Sequence, residues 1–159
     1  MARSNPVVRP HPDGGHTLVL RRWQRSVLAG LFDEVDALLD TDPGNAALGR
    51  LHPPAYLDDP ERDAGYQLLA GDELRSSHRS AAGAARAALV SGAVLTDDDL
   101  WGLVRSLNVL VVVLATVLQI DDEDAEPPRD PRHPDASRWA ALDLVRFVQF
   151  HVGEALAEP

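Results

Sequence analysis

Apolar residues recur along Thr96–Ile120 at the spacing that gives an α-helix one continuous apolar face. After Val109 nearly every position is apolar, which is typical of a helix at the centre of its domain. Thr96 is a good N-cap, and Asp99 follows at the position from which a carboxylate can reach back to the cap. The pattern therefore predicts a central helix over Thr96–Ile120. Its apolar stripe comprises Leu100, Leu103, Val104, Leu107, Leu110, Val111, Leu114, Val117 and Leu118.

Two other structures are compatible with an apolar segment of this kind. A membrane-spanning helix needs ~20 apolar residues, and the unbroken run from Val109 to Ala115 is much shorter. The β-branched run Val111–Val113 would also suit a buried strand. The N-cap and the leucine spacing favour the helix, so we expect no membrane span and no strand here.

The first and last parts of the chain each predict one long helix. Apolar residues keep a spacing of three or four positions over Arg22–Leu39, and Pro43-Gly44 follows as a helix-ending turn. The last helix is predicted to begin at Pro134 or Asp135 and to end near Leu156. A lone turn capped by Asn45 is predicted between these segments.

The middle of the chain predicts two helices in succession. Asp59 is a helix cap followed by proline at the first helical position, which predicts a short helix to about Leu69. Gly71 is predicted to end it, because glycine disfavours a helix interior. Asp72 is then predicted to cap a longer helix that ends near Val90.

These elements predict an all-α fold, an orthogonal or up-down bundle of four longer helices plus one or two short helices. Residues 1–15 are predicted to be a disordered N-terminal arm, and residues 16–159 a single helical bundle domain. His16–Leu20 is predicted to form a short strand or to lead directly into the first helix. Residues 121–134 are predicted to be an acidic loop, because the segment combines a run of carboxylates with several prolines.

The composition restricts the function. The 159 residues carry a formal net charge of −10, which opposes binding to nucleic acid. Residues 1–25 hold five arginines and one aspartate, a net of +4 that leaves −14 for the rest. A basic arm can dock on an acidic partner, although a solvated tail is the simpler interpretation. The chain has no cysteine, which excludes disulfides and thiolate metal sites, and the N-terminus lacks the apolar region of a signal peptide. We therefore expect a cytoplasmic protein.

The sequence contains no pattern that predicts catalysis. No two histidines have the i, i+4 spacing of a helical metal site. The acidic run Asp121–Asp124 lacks the internal glycine and terminal glutamate of a calcium-binding EF-hand loop. Nucleophile-elbow and phosphate-loop motifs are also missing from the sequence. We therefore predict no catalytic residues, no metal, no cofactor and no enzyme activity.

Two sets of residues are candidates for an interaction surface. The first is a short stripe of arginines on the predicted helix that begins at Asp72, which could bind an acidic partner, although ordinary solubility is the simpler interpretation. The second is a surplus of apolar residues on the central and last helices, which would be either core or an exposed interface with a protein partner or a second copy of the chain. The candidate residues are Arg75, Arg79, Arg86, Val109, Val112, Val113, Phe147 and Phe150.

An alternative site would lie between the central and last helices. Arg105, Asn108, Gln149 and His151 could converge there as the polar groups of a small-molecule-binding or catalytic pocket. That arrangement requires the four side chains to face one another across the helix pair.

Three segments carry a resemblance to a known family. They are LTDDDLWGLVRSLNVLVVVLATVLQIDDED, LHPPAYLDDPERDAGYQLLAGDELRSS and LVRFVQFHVGEAL. Together they resemble an actinobacterial helical family of unknown function related to AosR, the actinomycete oxidative-stress regulator, over about residues 18–157. The resemblance implies an all-helical cytoplasmic protein that lacks enzyme activity and regulates transcription or a stress response through protein contacts.

The chain also departs from that family. Val111 and Val117 stand where the family usually has arginine, and Leu144-Val145-Arg146 stands where it has Trp-Leu-Gly. A thiol switch is impossible without cysteine. The sequence thus predicts a non-enzymatic regulatory protein with a protein partner of unknown identity. A homodimer is an open alternative, and direct binding to nucleic acid is not expected.

Overall fold

The structure is a computed structural model that describes residues 5–157. Within that range the chain forms four long α-helices, one 3₁₀ turn and a two-stranded antiparallel sheet. The predicted bundle is therefore confirmed as a mostly helical architecture, while the purely all-α prediction missed the sheet. In chain order the elements are β1 (Val8–Pro10), β2 (His16–Leu18), α1 (Arg22–Thr41), the 3₁₀ turn (Ala46–Leu48), α2 (Pro60–Ala88), α3 (Asp97–Val117) and α4 (Ala136–Ala157).

Helix α3 begins as its sequence predicts. The Thr96 hydroxyl accepts a hydrogen bond from the Asp99 N–H at 3.1 Å, and the Asp99 carboxylate accepts from the Thr96 N–H at 2.8 Å. This reciprocal pair satisfies two N–H groups that a helix start otherwise leaves free. The hydrogen bonds from the Thr96 backbone and hydroxyl favour the ionised carboxylate, so they lower the pKa of Asp99.

Helix α3 ends three residues earlier than predicted. Gln119 has a φ of 54°, the left-handed conformation that commonly follows the last helical residue. Its N–H bonds to the Thr116 carbonyl at 3.2 Å, and the Ile120 N–H bonds to the Ala115 carbonyl at 2.9 Å. This pair of bonds is the Schellman pattern. Glycine is the usual residue there, and its absence hid the helix end from sequence reasoning.

The core forms around α3, which packs most extensively against α4 and next against α2. Seven α3 residues are buried. Opposite them, α2 presents small alanines that let the two helices approach closely, and α4 presents a leucine and valine face. The core residues of these three helices are Leu100, Leu103, Leu107, Leu110, Val113 and Leu114 on α3, Ala82, Ala85 and Ala88 on α2, and Leu142, Leu144, Val145, Val148 and Val152 on α4.

By length and composition alone α3 could span a membrane, with a mean hydropathy of 2.0 over its most apolar window. It is the one helix of the described residues that meets this test. The central helix of a bundle meets it equally, and α3 buries its leucines against three other helices. The finding is therefore weak evidence for a membrane span.

The middle helix corrects the prediction of two helices separated at Gly71. Residues Pro60–Ala88 form one continuous helix of 29 residues. A glycine inside a helix costs only about 1 kcal/mol relative to alanine, which the helix-forming residues on both sides offset. The start is as predicted, because the Asp59 carboxylate accepts a hydrogen bond from the Arg62 N–H at 3.0 Å.

The N-terminal segment corrects the prediction of a disordered arm over residues 1–15. From residue 5 onward it is ordered, and Val7 and Val8 are buried in the core. β1 pairs with β2 in the register Val8↔Leu18, so of the two alternatives predicted for His16–Leu20 the structure shows the short strand, over His16–Leu18. Residues 1–4 lie outside the described part of the chain.

The hairpin is fixed at both ends. The Asn5 side-chain amide donates to the His151 carbonyl of α4 at 2.7 Å. On the other side, His16 and Leu95 exchange two backbone hydrogen bonds of 2.8 Å. Gly15, with a φ of +78°, lies so close that a Cβ there would stand 2.6 Å from the Leu95 carbonyl oxygen, so this turn requires glycine.

Because α3 is the central helix, we expect Leu107→Ala to destabilise the protein strongly. Leu107 is 0% exposed, and truncating a buried leucine typically costs about 2–5 kcal/mol. Urea denaturation followed by circular dichroism measures the change in the free energy of unfolding. Asn108→Ala, at the exposed neighbouring position, is the matched control. Equal stability of the two variants would contradict a central position for α3.

Candidate interaction surface

The three arginines predicted as a binding stripe pair with acids of the same chain. Arg86 donates to the Asp36 carboxylate at 2.7 Å and lies 3.3 Å from Asp33. Arg79 pairs with Asp40 of α1, and Arg75 with Asp72 one turn earlier on α2. Arg79 and Arg86 therefore hold α2 against α1. None of the three lines the exposed groove formed by Trp23 and Phe147, and Arg75 lines the cleft beside α2.

The surplus valines of α3 lie mainly in the interior. Val113 is buried in the core, and Val109 is half-buried against it. Val109 also faces a cavity of about 20 Å³ beside Phe32 and His78. Val112 is half-buried. The alternative of core rather than interface therefore fits Val109 and Val113.

Phe147 and Phe150 of α4 are exposed, as an interaction surface requires. They are 42% and 61% exposed, and Trp23 at the start of α1 is 56% exposed. Phe147 and Trp23 both line a groove of about 430 Å³. This aromatic groove, as it is called below, is lined by Pro6, Val7, Val19, Leu20, Arg21, Trp23, Gln24 and Phe147.

Contacts within α4 hold the two phenylalanine rings. His151 packs edge-on against Phe147, with ring centroids 4.6 Å apart, and against Phe150 at 5.1 Å. The His151 Nδ1 lies 3.0 Å from a Glu154 carboxylate oxygen, which fixes the imidazole plane. Edge-to-face pairs at these distances are favourable. The exposed aromatic side chains are therefore positioned before any partner arrives.

Two arginines lie at or beside the groove. Arg21 lines it, and Arg22 begins α1, whose first turn carries no acidic residue to offset the positive end of the helix dipole. Within residues 5–157, Arg9, Arg21 and Arg22 form no ion pair. Arg25 is different, because its guanidinium donates to the carbonyls of Leu18, Leu20 and Leu89. The basic segment is thus partly structural and partly available to an acidic group.

The polar site predicted between the central and last helices does not form. Gln149 and His151 are two residues apart, which places them on nearly opposite sides of α4. Gln149 faces α3 and donates to the Val104 carbonyl at 3.4 Å, whereas His151 packs with the phenylalanines. Arg105 and Asn108 are exposed on α3. The prediction was wrong because the helical period separates its members.

A second concave surface lies where α2 extends past the end of α1. This cleft has a volume of about 580 Å³ and is bounded by the end of α1, the loop with the 3₁₀ turn, and the N-terminal half of α2. His52 lines it, and its ring contacts His78 with centroids 5.2 Å apart. Sequence reasoning missed this pair, because a loop residue and a helix residue far along the chain give no local signal.

Both imidazoles of the pair are harder to protonate than a free histidine. Burial lowers the pKa of His52, and the nearby His78 and Arg75 lower it further. Burial also lowers the pKa of His78, although Asp36 opposes the effect. No cluster of three potential metal ligands occurs in the described part of the chain. His52 therefore places a neutral imidazole in a cleft whose lining also includes the charged side chains of Asp63, Asp72 and Arg75.

The architecture defines a class: a helical bundle completed by an N-terminal hairpin, with an exposed aromatic groove. The chain belongs to the family described as "Domain of unknown function (DUF2017)", whose model matches residues 5–156. No curated protein and no solved structure matches it. The expected membership in a helical family of unknown function is therefore confirmed, while the relation to AosR and to actinobacteria stays a prediction.

The histidine pair predicts how stability depends on pH. A histidine with a lowered pKa binds its proton less tightly in the folded state than in the unfolded chain, where its pKa is about 6.5. Protonation therefore favours unfolding. The free energy of unfolding should fall as the pH drops through about 6.5 towards the lower folded-state values.

Urea denaturation between about pH 7 and pH 5 tests this linkage. The His52→Gln/His78→Gln double variant should lose less stability over that range than the wild type. His133→Gln, in the exposed loop before α4, is the control and should keep the wild-type dependence. If the double variant and the wild type lose the same stability, the histidine pair does not cause the pH dependence of the free energy of unfolding.

Proposed function

We propose that this protein is a non-enzymatic regulatory protein that acts through protein–protein contacts at the aromatic groove. The observation that carries the proposal is the exposure of Trp23 and Phe147 around one concave surface, with Phe150 exposed one turn further along α4. Aromatic residues and arginine are enriched where proteins bind one another, and they supply most of the binding energy there. Arg21 on the same surface completes this composition.

The chemistry of the groove selects a partner with both apolar and acidic groups. Trp23 and Phe147 offer two apolar walls into which a leucine or an aromatic side chain could insert. Arg21 and Arg22 would favour a carboxylate beside that anchor and would also speed the encounter with an acidic partner. An acidic segment with apolar anchors, in a partner protein, is therefore the proposed ligand.

The finer role that we propose is transcriptional or stress regulation in the cytoplasm. Its support is the resemblance of three sequence segments to a family related to an oxidative-stress regulator. The absence of cysteine means that any response to oxidants would come from the partner and not from a thiol of this chain. The regulatory effect would then depend on occupancy of the groove.

The proposal predicts that groove variants lose partner binding without losing the fold. Partners captured from native lysate by the wild type are identified first, and their affinities are then measured with purified proteins. Phe147→Ser should weaken binding of a genuine partner at least tenfold, because losing a central aromatic anchor costs about 2 kcal/mol or more. Trp23→Ala should have a similar effect.

Trp101→Ala is the matched control, since Trp101 is a similarly exposed aromatic residue outside the groove. Circular dichroism and melting temperature confirm that all variants remain folded. Partners that bind the Phe147 and Trp23 variants as tightly as the wild type would rule out the groove as the contact surface.

A second candidate function is binding of a small molecule in the cleft beside α2. The cleft volume falls in the range of known ligand sites, and apolar side chains dominate its lining. The neutral imidazole of His52 would supply a hydrogen-bond donor and acceptor. A ligand of this cleft should shift the NMR signals of His52 and bind more weakly to His52→Ala. Compounds that bind both forms equally would remove this candidate.

A further inference from the structure

The N-terminal half of α2 exposes a face that the described chain contacts only at Arg62 and Tyr66, through Tyr56. All the residues that α2 buries, Ala82, Ala85 and Ala88, lie near its C-terminal end. In the other half, Tyr66 is 44% exposed and Leu69 is 86% exposed. Such exposure of large apolar side chains on a regular helix is characteristic of an interface.

The exposed face carries one charge at each end. Arg62, Tyr66, Leu69 and Glu73 follow the i, i+4, i+7, i+11 spacing of a single helical stripe, and all four are exposed. Neither Arg62 nor Glu73 forms an ion pair within residues 5–157. Along the helix the stripe therefore presents a positive, an aromatic, an aliphatic and a negative side chain, in that order.

The positive and aromatic end of this stripe is held in place. The Arg62 guanidinium lies 4.3 Å from the centre of the Tyr56 ring, and Tyr56 packs edge-on against Tyr66 at 6.3 Å between centroids. A cation over an aromatic face is a stabilising contact. Because Arg62 and Tyr66 are already positioned, little side-chain freedom would be lost when they meet a partner.

We propose that this stripe is a homodimer interface in which two α2 helices pair antiparallel about an axis between Gln67 and Leu68. In this register Arg62 faces Glu73 of the partner subunit, and Tyr66 faces Leu69 of the partner subunit. Every pair occurs twice, as a two-fold interface requires. The pattern of the stripe is therefore complementary to itself.

The same pattern excludes parallel pairing of the two helices. In a parallel pair each Arg62 would lie against Arg62 of the partner subunit, and each Glu73 against Glu73 of the partner subunit. Like charges opposite one another disfavour association. The charge order therefore favours antiparallel pairing with a second copy of this chain. The aromatic groove takes no part in this pairing.

Charge exchange tests the register. Sedimentation velocity should show that the wild type dimerises, and that Arg62→Glu or Glu73→Arg alone weakens the dimer about tenfold or more, because each introduces two like-charge contacts. The Arg62→Glu/Glu73→Arg double variant should recover wild-type dimerisation. Leu69→Asp should give a folded monomer, because Leu69 makes little contact within its own chain. A wild type that stays monomeric at ~100 μM, or single variants that dimerise normally, would overturn the proposal.

The absence of cysteine allows a second test with single introduced thiols. In the proposed register two Leu69→Cys thiols are offset by only about 4.5 Å along the axis, whereas two Ser80→Cys thiols are separated by about 37 Å. Mild oxidation should cross-link the first variant and leave the second monomeric on a denaturing gel. The reverse result would assign the dimer to another surface. Phe147→Ser should dimerise like the wild type, which separates this interface from partner binding at the groove.

Discussion

The burial of the α3 leucine stripe is the constraint on which the other helices depend. Leu100, Leu103, Leu107 and Leu110 are almost fully buried, and each contributes about 1.5–3 kcal/mol relative to exposure in water. A helix with so many apolar side chains cannot shield them from water by itself. The valine face of α4 covers one side and the alanine face of α2 covers another. The length and apolar character of α3 thus fix where the other helices must lie.

Arginine side chains then fix the elements that the core alone does not orient. Arg86 and Arg79 join α2 to the acidic face of α1, and Arg25 joins α1 to β2 and to the end of α2 through three backbone carbonyls. The planar guanidinium suits this role, because its N–H groups point in several fixed directions at once. Burial lowers the pKa of Arg25, but the carbonyl oxygens compensate for the lost water. In this chain the charged residues that resemble a binding stripe therefore serve the fold.

The parts of the fold that the sequence predicts are those specified locally. α1, α3 and α4 follow from apolar spacing, and the start of α3 also follows from the Thr96 cap. Strand β1 was missed, because Val7 and Val8 are buried only against core residues far along the chain. The candidate site also combines residues that local sequence identifies with residues that only distant contacts reveal. Phe147 and Phe150 were identified from their position on α4, whereas Trp23 in one groove with Phe147, and His52 against His78, arise only when distant segments meet.

The two exposed surfaces lie at opposite ends of α1. Trp23 marks the aromatic groove at the start of the helix, and at its other end Asp40 pairs with Arg79, six residues beyond Glu73 on α2. Seventeen residues of α-helix separate Trp23 from Asp40 by about 26 Å. A dimer built on α2 would therefore leave both aromatic grooves uncovered and would present two identical sites. Two linked sites bind a repeated or dimeric partner far more tightly than one site alone, so the α2 interface would strengthen groove binding without contributing a contact to it.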